Sequence, residues 1–181
     1  QKDPNTQYSL GLFFNFGQGV EQNYEQAAYW YQQAADQGVA KAQTGLGVLY
    51  HFGQGVEHDD EKAVCWLRRA AGQEDPAAQY FLGVFYHLGR GVEQDDVKAV
   101  QWLRLAAEQG LADAQNDLGI FCHLGRGVEQ DDEHAVYWLR LAAEQGIESA
   151  KYNVSLLLQE QDRSPQSAQI IEFPVKKHNI S

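Results

Sequence analysis

The chain has 181 residues, a formal net charge of −11 and a pI near 4.8. That acidity argues against nucleic acid and anionic membrane as partners, because capture of either rests on Lys and Arg neutralising phosphates. No apolar run approaches the roughly 18 residues a spanning helix needs, and no stretch alternates β-branched residues as a half-buried strand does, so the chain reads as almost wholly helical, with no membrane insertion.

One motif organises the rest. Gly-x-Gly-Val begins at Gly17, Gly53, Gly89 and Gly125, a constant interval of 36 residues. A phosphate loop would need a preceding strand with a third glycine or Gly-Lys-Ser/Thr, and none is present. A fixed period of about 20 to 50 residues instead marks stacked repeats. Trp30, Trp66, Trp102 and Trp138 share one column, the Leu-Gly pairs at Leu10, Leu46, Leu82 and Leu118 another, and the Ala-Ala pairs at Ala34, Ala70, Ala106 and Ala142 a third. The units run 3–38, 39–74, 75–110 and 111–146, followed by a capping half unit over 147–161. Together they form a single solenoid domain, 3–160, with a tail over 162–181.

In chain order, Asp3-Pro4 predicts a helix start, with an N-cap and a proline whose missing amide costs nothing at the first helical position. In the second unit, Ala42, Leu46, Leu49 and Tyr50 make one apolar stripe on a first helix of about thirteen residues ending at Phe52. Gly53 is expected to stop it in a left-handed cap, with Val56 tucked under the turn. Asp59 or Asp60 then caps a second, antiparallel helix whose stripe is Ala63, Trp66, Leu67, Ala70 and Ala71. The tryptophans read as the large anchors, and the alanine pairs and Leu-Gly glycines as seats for close helix approach. Gly38, Gly110 and Gly146 close their units but Glu74 stands in that column, so a reshaped turn is expected there, since a left-handed non-glycine is costly. Asp75-Pro76 repeats the opening helix start.

Beyond the capping helix, Ser164-Pro165 suggests a short helix through Glu172, ended by Pro174. Ile170, Ile171, Phe173 and Val175 are apolar enough to pack back on the last helices. Docking in a groove of this molecule or, as self-association, of a neighbouring one, and disorder are the other readings. Cys65 and Cys122 lie in the second and fourth units with a whole unit between them, too far for a disulfide, and read as small apolar side chains.

The composite pattern Ala-x-x-x-Leu-Gly-x-x-Tyr, Gly-x-Gly-Val, Asp-x-x-Lys-Ala-x-x-Trp-Leu and Ala-Ala-x-x-Gly resembles the Sel-1-like repeat, a relative of the tetratricopeptide repeat. In the second unit the match runs from Ala42 through Gly53, Asp59, Lys62 and Trp66 to Ala71. The resemblance implies an all-α, right-handed superhelical solenoid of antiparallel helix pairs, first helices lining a concave face, and work as a non-enzymatic adaptor in protein complexes. Bacterial members often act in the envelope or against host cells, which favours a periplasmic or secreted location over the cytoplasm. A start at Gln1 and the absence of methionine suggest removal of an initiating segment, for which a cleaved secretory signal is one explanation. Cysteine-rich relatives connected with β-lactam binding carry paired helix cysteines that this chain lacks, so that activity is not transferred.

Columns on the first helices that vary between units are the candidates for recognising a protein or peptide partner. One is Tyr8, Thr44, Tyr80 and Asn116, and the next is Ser9, Gly45, Phe81 and Asp117. Tyr80 and Phe81 stand out as aromatic anchors, with packing between repeats as the competing reading. His51, His87 and His123 form a column, with Asn15 in the first unit. Zinc wants three or four donors, and with no cysteine or carboxylate column apparent beside them, these rings are expected to make polar groove contacts or to face the last helix carbonyls. No metal or cofactor is assigned. The alternative is a small-ligand or metal-binding protein, or an enzyme, using the histidine column. Arg68, Arg104 and Arg140, two of them followed by Glu108 and Glu144, read as surface ion pairs, and the Asp-Asp pairs at Asp59, Asp95 and Asp131 as caps. No isolated nucleophile and base occur together, so no catalytic residue is assigned.

Overall fold

The computed structural model describes residues 3–161. Within them lie nine α-helices and no strand: α1 (Pro4–Phe16), α2 (Tyr24–Ala35), α3 (Ala40–Phe52), α4 (Asp60–Ala71), α5 (Pro76–Leu88), α6 (Asp96–Glu108), α7 (Ala112–Leu124), α8 (Asp132–Glu144) and α9 (Glu148–Gln161). Helices pair in order, each pair packs on the next, and α9 covers α8, so the chain is an all-α solenoid. The expectations for 162–181 fall outside the described residues.

Each joint is built the same way. Gly17, Gly53, Gly89 and Gly125 sit in the left-handed region at φ of 67°, 64°, 65° and 63°. The following amides of Gln18, Gln54, Arg90 and Arg126 then turn back to donate to the carbonyls of Phe13, Leu49, Phe85 and Phe121, each at 3.0 Å. Farther on, the amides of Asn23, Asp59, Asp95 and Asp131 donate to the carbonyls of Phe14, Tyr50, Tyr86 and Cys122 at 2.8–3.0 Å, which closes the loop. The side chains of those four residues cap α2, α4, α6 and α8 by accepting from Gln26, Lys62, Lys98 and His134 amides. The cap of α4 is thus Asp59, which leaves Asp60 for another task.

The second glycine of the motif does more than relax the turn. A Cβ on Gly91 or Gly127 would collide with the carbonyl of Asp60 or Asp96, at the start of the preceding unit's second helix, and one on Gly55 would strike the backbone of Tyr24. The joint is therefore where consecutive units touch backbone to backbone.

In the core, the Leu-Gly glycines seat the leucine that follows each later tryptophan. A Cβ on Gly47, Gly83 or Gly119 would lie 2.9, 2.7 or 2.7 Å from Cγ of Leu67, Leu103 or Leu139. Those leucines are fully buried, whereas all four tryptophans are only half-buried. The central anchor is thus the leucine, not the tryptophan. Trp66 and Trp102 instead pack along the seams between neighbouring core clusters.

Glu74 overturns a second expectation. It adopts the left-handed conformation itself, at φ 64°, while Gly72 stays right-handed at φ −67°. The Asp75 amide then donates to the Ala70 carbonyl at 3.2 Å, as Val39 does to Ala34 and Leu111 to Ala106. The stack's register demands the same turn in every unit and imposes it on a glutamate.

A polar ladder also runs through the stack. Gln37, Gln73, Gln109 and Gln145 donate through Nε2 to Oε1 of Gln7, Gln43, Gln79 and Gln115, and those four acceptors are buried. Gln43 and Gln115 pass the chain on by donating to the carbonyls of Ala35 and Ala107, both at 3.1 Å. Each rung satisfies amide groups that would otherwise be buried without partners.

Candidate functional site

The face formed by the first helices holds a cavity of about 850 Å³ between α1, α3 and the start of α5. Tyr8, Leu12, Asn15 and Phe16 line it from α1, spaced as one helical face, and Thr44, Gly45, Val48 and Phe52 continue it on α3. Phe81, Pro76 and Ala77 close the α5 side, and Tyr31 from α2 forms part of the floor. Polar groups come from Asn15, Gln22, Gln54, Lys41 and Asp75.

The cavity has a simple origin in the repeat columns. The first unit places Tyr8-Ser9 at this position and the third Tyr80-Phe81, but the second places Thr44-Gly45. The small pair removes volume between two aromatic neighbours. Tyr8 and Tyr31 stack across its end with ring centroids 5.9 Å apart. Burial pushes both hydroxyls above the usual tyrosine range, with the Asp75 carboxylate adding to the effect on Tyr8, so both rings remain neutral. Thr44 is tied down, donating to Asp75 at 2.9 Å, so the cap of α5 is braced from the unit before.

Of the residues singled out from the sequence, Tyr8, Asn15, Thr44, Gly45 and Phe81 line this cavity together. Ser9, Tyr80, Asn116, Asp117 and the three histidines of the column are not part of its lining. Tyr80 is buried at 7% exposure and donates through its hydroxyl to Asp117 at 3.2 Å, bracing α5 against α7. Its ring packs beside Phe81, centroids 5.8 Å apart. Asn116 is buried, donates to Asp117 at 3.0 Å and accepts from Ser149 at 3.4 Å.

The histidine column has carboxylate partners that the sequence reading did not find. Nδ1 of His51, His87 and His123 lies 2.6 Å from Oδ1 of Asp60, Asp96 and Asp132 respectively. Each pair joins the last turn of a first helix to the first residue of the next, across the joint. The reason for the miss is the doubled aspartate: Asp59, Asp95 and Asp131 cap, and the second member of each pair turns back to the ring. His51 also accepts at Nε2 from Arg90 Nη1 at 2.9 Å. An arginine has no lone pair to offer, so the ring is neutral with its proton on Nδ1, donated to Asp60. His51 and His87 lie against Phe85 and Phe121 of the following unit, centroids 4.8 and 4.9 Å apart. The column is a repeated structural clasp.

Arg68 departs from the expected surface ion pair: it donates to the Tyr86 hydroxyl at 2.8 Å and lies over that ring. Both cysteines are free, and burial pushes the Cys122 thiol up, which keeps it protonated and unreactive. No described helix is long and apolar enough to cross a membrane.

Comparisons with known proteins agree with this architecture. The model of the Sel1 repeat matches residues 4–39, 40–75, 76–111 and 112–147. Among solved structures, the chain is similar to c5321, a protective antigen of uropathogenic Escherichia coli with an SLR fold, at 40% identity and TM-score 0.80, covering 84% of this chain and 32% of that one. A Sel1 repeat protein from Oxalobacter formigenes is 36% identical at TM-score 0.79, with 84% of this chain and 62% of that one covered. Helicobacter pylori cysteine rich protein B shares the fold at 24% identity and TM-score 0.59, over 76% of this chain and 98% of its own length. The chain thus spans about a third of the first of these relatives and under two thirds of the second. Comparison with curated proteins gives no significant match. Proteins built from such repeats are generally non-enzymatic protein-interaction scaffolds. With four consecutive repeats matched and their helix pairs in place, the chain belongs to the Sel1 repeat family.

Proposed function

We propose that the chain is an interaction scaffold that holds a segment of a partner protein, an extended peptide or a helix, in the cavity between α1, α3 and α5. The observation that carries this reading is the lining itself. Leu12, Phe16, Val48, Phe52 and Phe81 offer apolar seats, while the amides of Asn15 and Gln54 can both donate to and accept from a peptide backbone and Gln22, whose Nε2 already donates to the Asn15 carbonyl and the Tyr24 hydroxyl, offers its Oε1. The formal charge of −11 favours a segment with basic residues, by complementarity and by faster encounter. Self-association through residues 162–181 is the homotypic version of the same idea.

Selection of peptides from a random display library on the immobilised chain tests the assignment. Phe81→Ala removes an aromatic seat and is expected to weaken selected peptides at least about tenfold, with the helical circular dichroism retained. Thr44→Tyr, the residue of the first and third units, fills the cavity and should have the same effect by exclusion. Peptides that bind the parent and both variants equally would place recognition elsewhere.

A further inference from the structure

The His51–Asp60 clasp carries a third donor that its counterparts lack. His58 Nε2 lies 3.5 Å from Asp60 Oδ1, and the ligand atoms of His51, His58 and Asp60 all fall within 4.8 Å of one another. The same place in the next two clasps holds Gln94 and Gln130. Among the described residues this is the one cluster of three histidine, cysteine or carboxylate groups with metal-ligand spacing.

We infer that His51, His58 and Asp60 form a site for a zinc-class divalent cation, with the fourth position open to water or to a group from a bound partner. Two imidazoles and one carboxylate are a donor set suited to zinc, cobalt or nickel. Bonds of about 2.0–2.2 Å around a tetrahedral ion place ligand atoms about 3.3–3.6 Å apart, and His58 Nε2 and Asp60 Oδ1 already stand at 3.5 Å. The 2.6 Å contact between His51 and Asp60 is a hydrogen bond and has to open. It does so when the ion replaces the Nδ1 proton. The ring then carries its proton on Nε2, which can no longer accept from Arg90, and that exposed guanidinium moves into solvent. Arg90 is thus a built-in competitor of the ion. His58 is mostly exposed, so its ring can close on the other two ligands.

The site bridges three parts of one joint: the last turn of α3, the loop after it and the first residue of α4. It also adjoins the groove, because the His51 ring makes an edge contact with Phe52, a cavity wall, at 4.6 Å between centroids. The inference stands on these ligands alone and is independent of what the groove binds.

Titration of the full 181-residue chain, using zinc chloride in a calorimeter and cobalt chloride in a spectrophotometer, tests it. One ion per chain, a rise in melting temperature and visible cobalt d–d bands are expected. His58→Gln installs the residue the chain already uses in the next two units, so it should fold normally while weakening binding at least about tenfold. Arg90→Gln, the residue of Gln18 and Gln54, should tighten it. Absence of the cobalt bands, or unchanged affinity in His58→Gln, which would include adventitious binding at His134 and Asp131, overturns the site. Unchanged or weaker affinity in Arg90→Gln overturns the exchange at Nε2.

Discussion

His87 Nδ1 lies 2.6 Å from Asp96 Oδ1, and the bond spans the joint between α5 and α6, beside the bond from the Asp95 amide to the Tyr86 carbonyl. It is partly buried, with the two side chains 21% and 31% exposed. Loss of a hydrogen bond to a charged group costs about 1.5–3 kcal/mol when shielded and less when water can replace it. His87→Ala is therefore expected to cost about 1–2 kcal/mol, a fall of roughly 2–8 °C in melting temperature. Asp96→Asn should lie between His87→Ala and the parent. Thermal melts of the three proteins check the order, and an unchanged midpoint in His87→Ala would show that the clasp contributes nothing.

The glutamine ladder makes a larger prediction. Gln79 is buried at 3% exposure and accepts from Gln109 at 2.8 Å. Gln79→Ala opens a void in the stack and removes one acceptor of the exposed Gln109 amide, whose bond to the Glu74 carbonyl stays, so a cost of about 2–3 kcal/mol, mostly from the void, is expected in urea unfolding. The double variant with Gln109→Ala should cost less than the sum of the two single changes, because the buried Gln79 oxygen that Gln109→Ala alone leaves unpaired is then gone.

Glu74 holds a conformation that costs an ordinary residue about 1–2 kcal/mol. Glu74→Gly makes this turn like those at Gly38, Gly110 and Gly146, whose φ values are 90°, 88° and 94°. Greater freedom in the unfolded chain offsets part of the gain. A net stabilisation of about 0.5–1 kcal/mol is expected, read as a higher urea midpoint. A lower midpoint would mean that the glutamate side chain contributes more than its backbone costs.

Much of this was legible in the sequence because a repeat reports each position four times. The helix pairs, the left-handed caps at Gly53 and its equivalents and the Asp3-Pro4 start follow from local chemistry, which the stack leaves alone. Where tertiary register overrides local preference, as at Glu74, propensity pointed the wrong way. The carboxylates beside the histidines were hidden by adjacency: Asp59 and Asp60 look like one cap but face different partners. The glutamine ladder was visible as two constant columns and passed over because constant polar residues on helices ordinarily read as surface. At the groove, the variable columns led to Tyr8, Thr44 and Phe81, yet Tyr80 is turned inward by its bond to Asp117, a pairing between units that one helix's pattern does not contain.

Two glycine substitutions separate strain from collision. Gly110 has φ 88° and open space around a would-be Cβ, whereas Gly91 has φ 62° and faces the Asp60 carbonyl. Gly110→Ala should therefore cost only the left-handed penalty, about 1–2 kcal/mol. Gly91→Ala pushes α4 and the following joint apart as well and is expected to cost at least about 3 kcal/mol. Equal midpoints for the two variants in urea would mean that the seam between units yields freely.

The last prediction concerns acid. The capping carboxylates of Asp59 and Asp131 are held below the usual aspartate range, first by the backbone amides of Lys62 and His134 and then by those side chains. Asp95 is held down first by the Lys98 side chain and then by the Lys98 amide. A carboxyl whose folded pKa is depressed binds its proton more readily in the unfolded chain, so acid favours unfolding. The contribution is fully present above the unfolded value of about 3.9 and is lost as pH falls through the lower folded values. Melting temperature should accordingly hold as pH falls toward about 4 on account of these caps and decline below it. Replacing all three by Asn, which caps without ionising, should flatten that decline while keeping the helix caps in place near neutrality. A parent whose acid limb is as steep as that of the triple Asn variant would show that other carboxylates govern its acid unfolding.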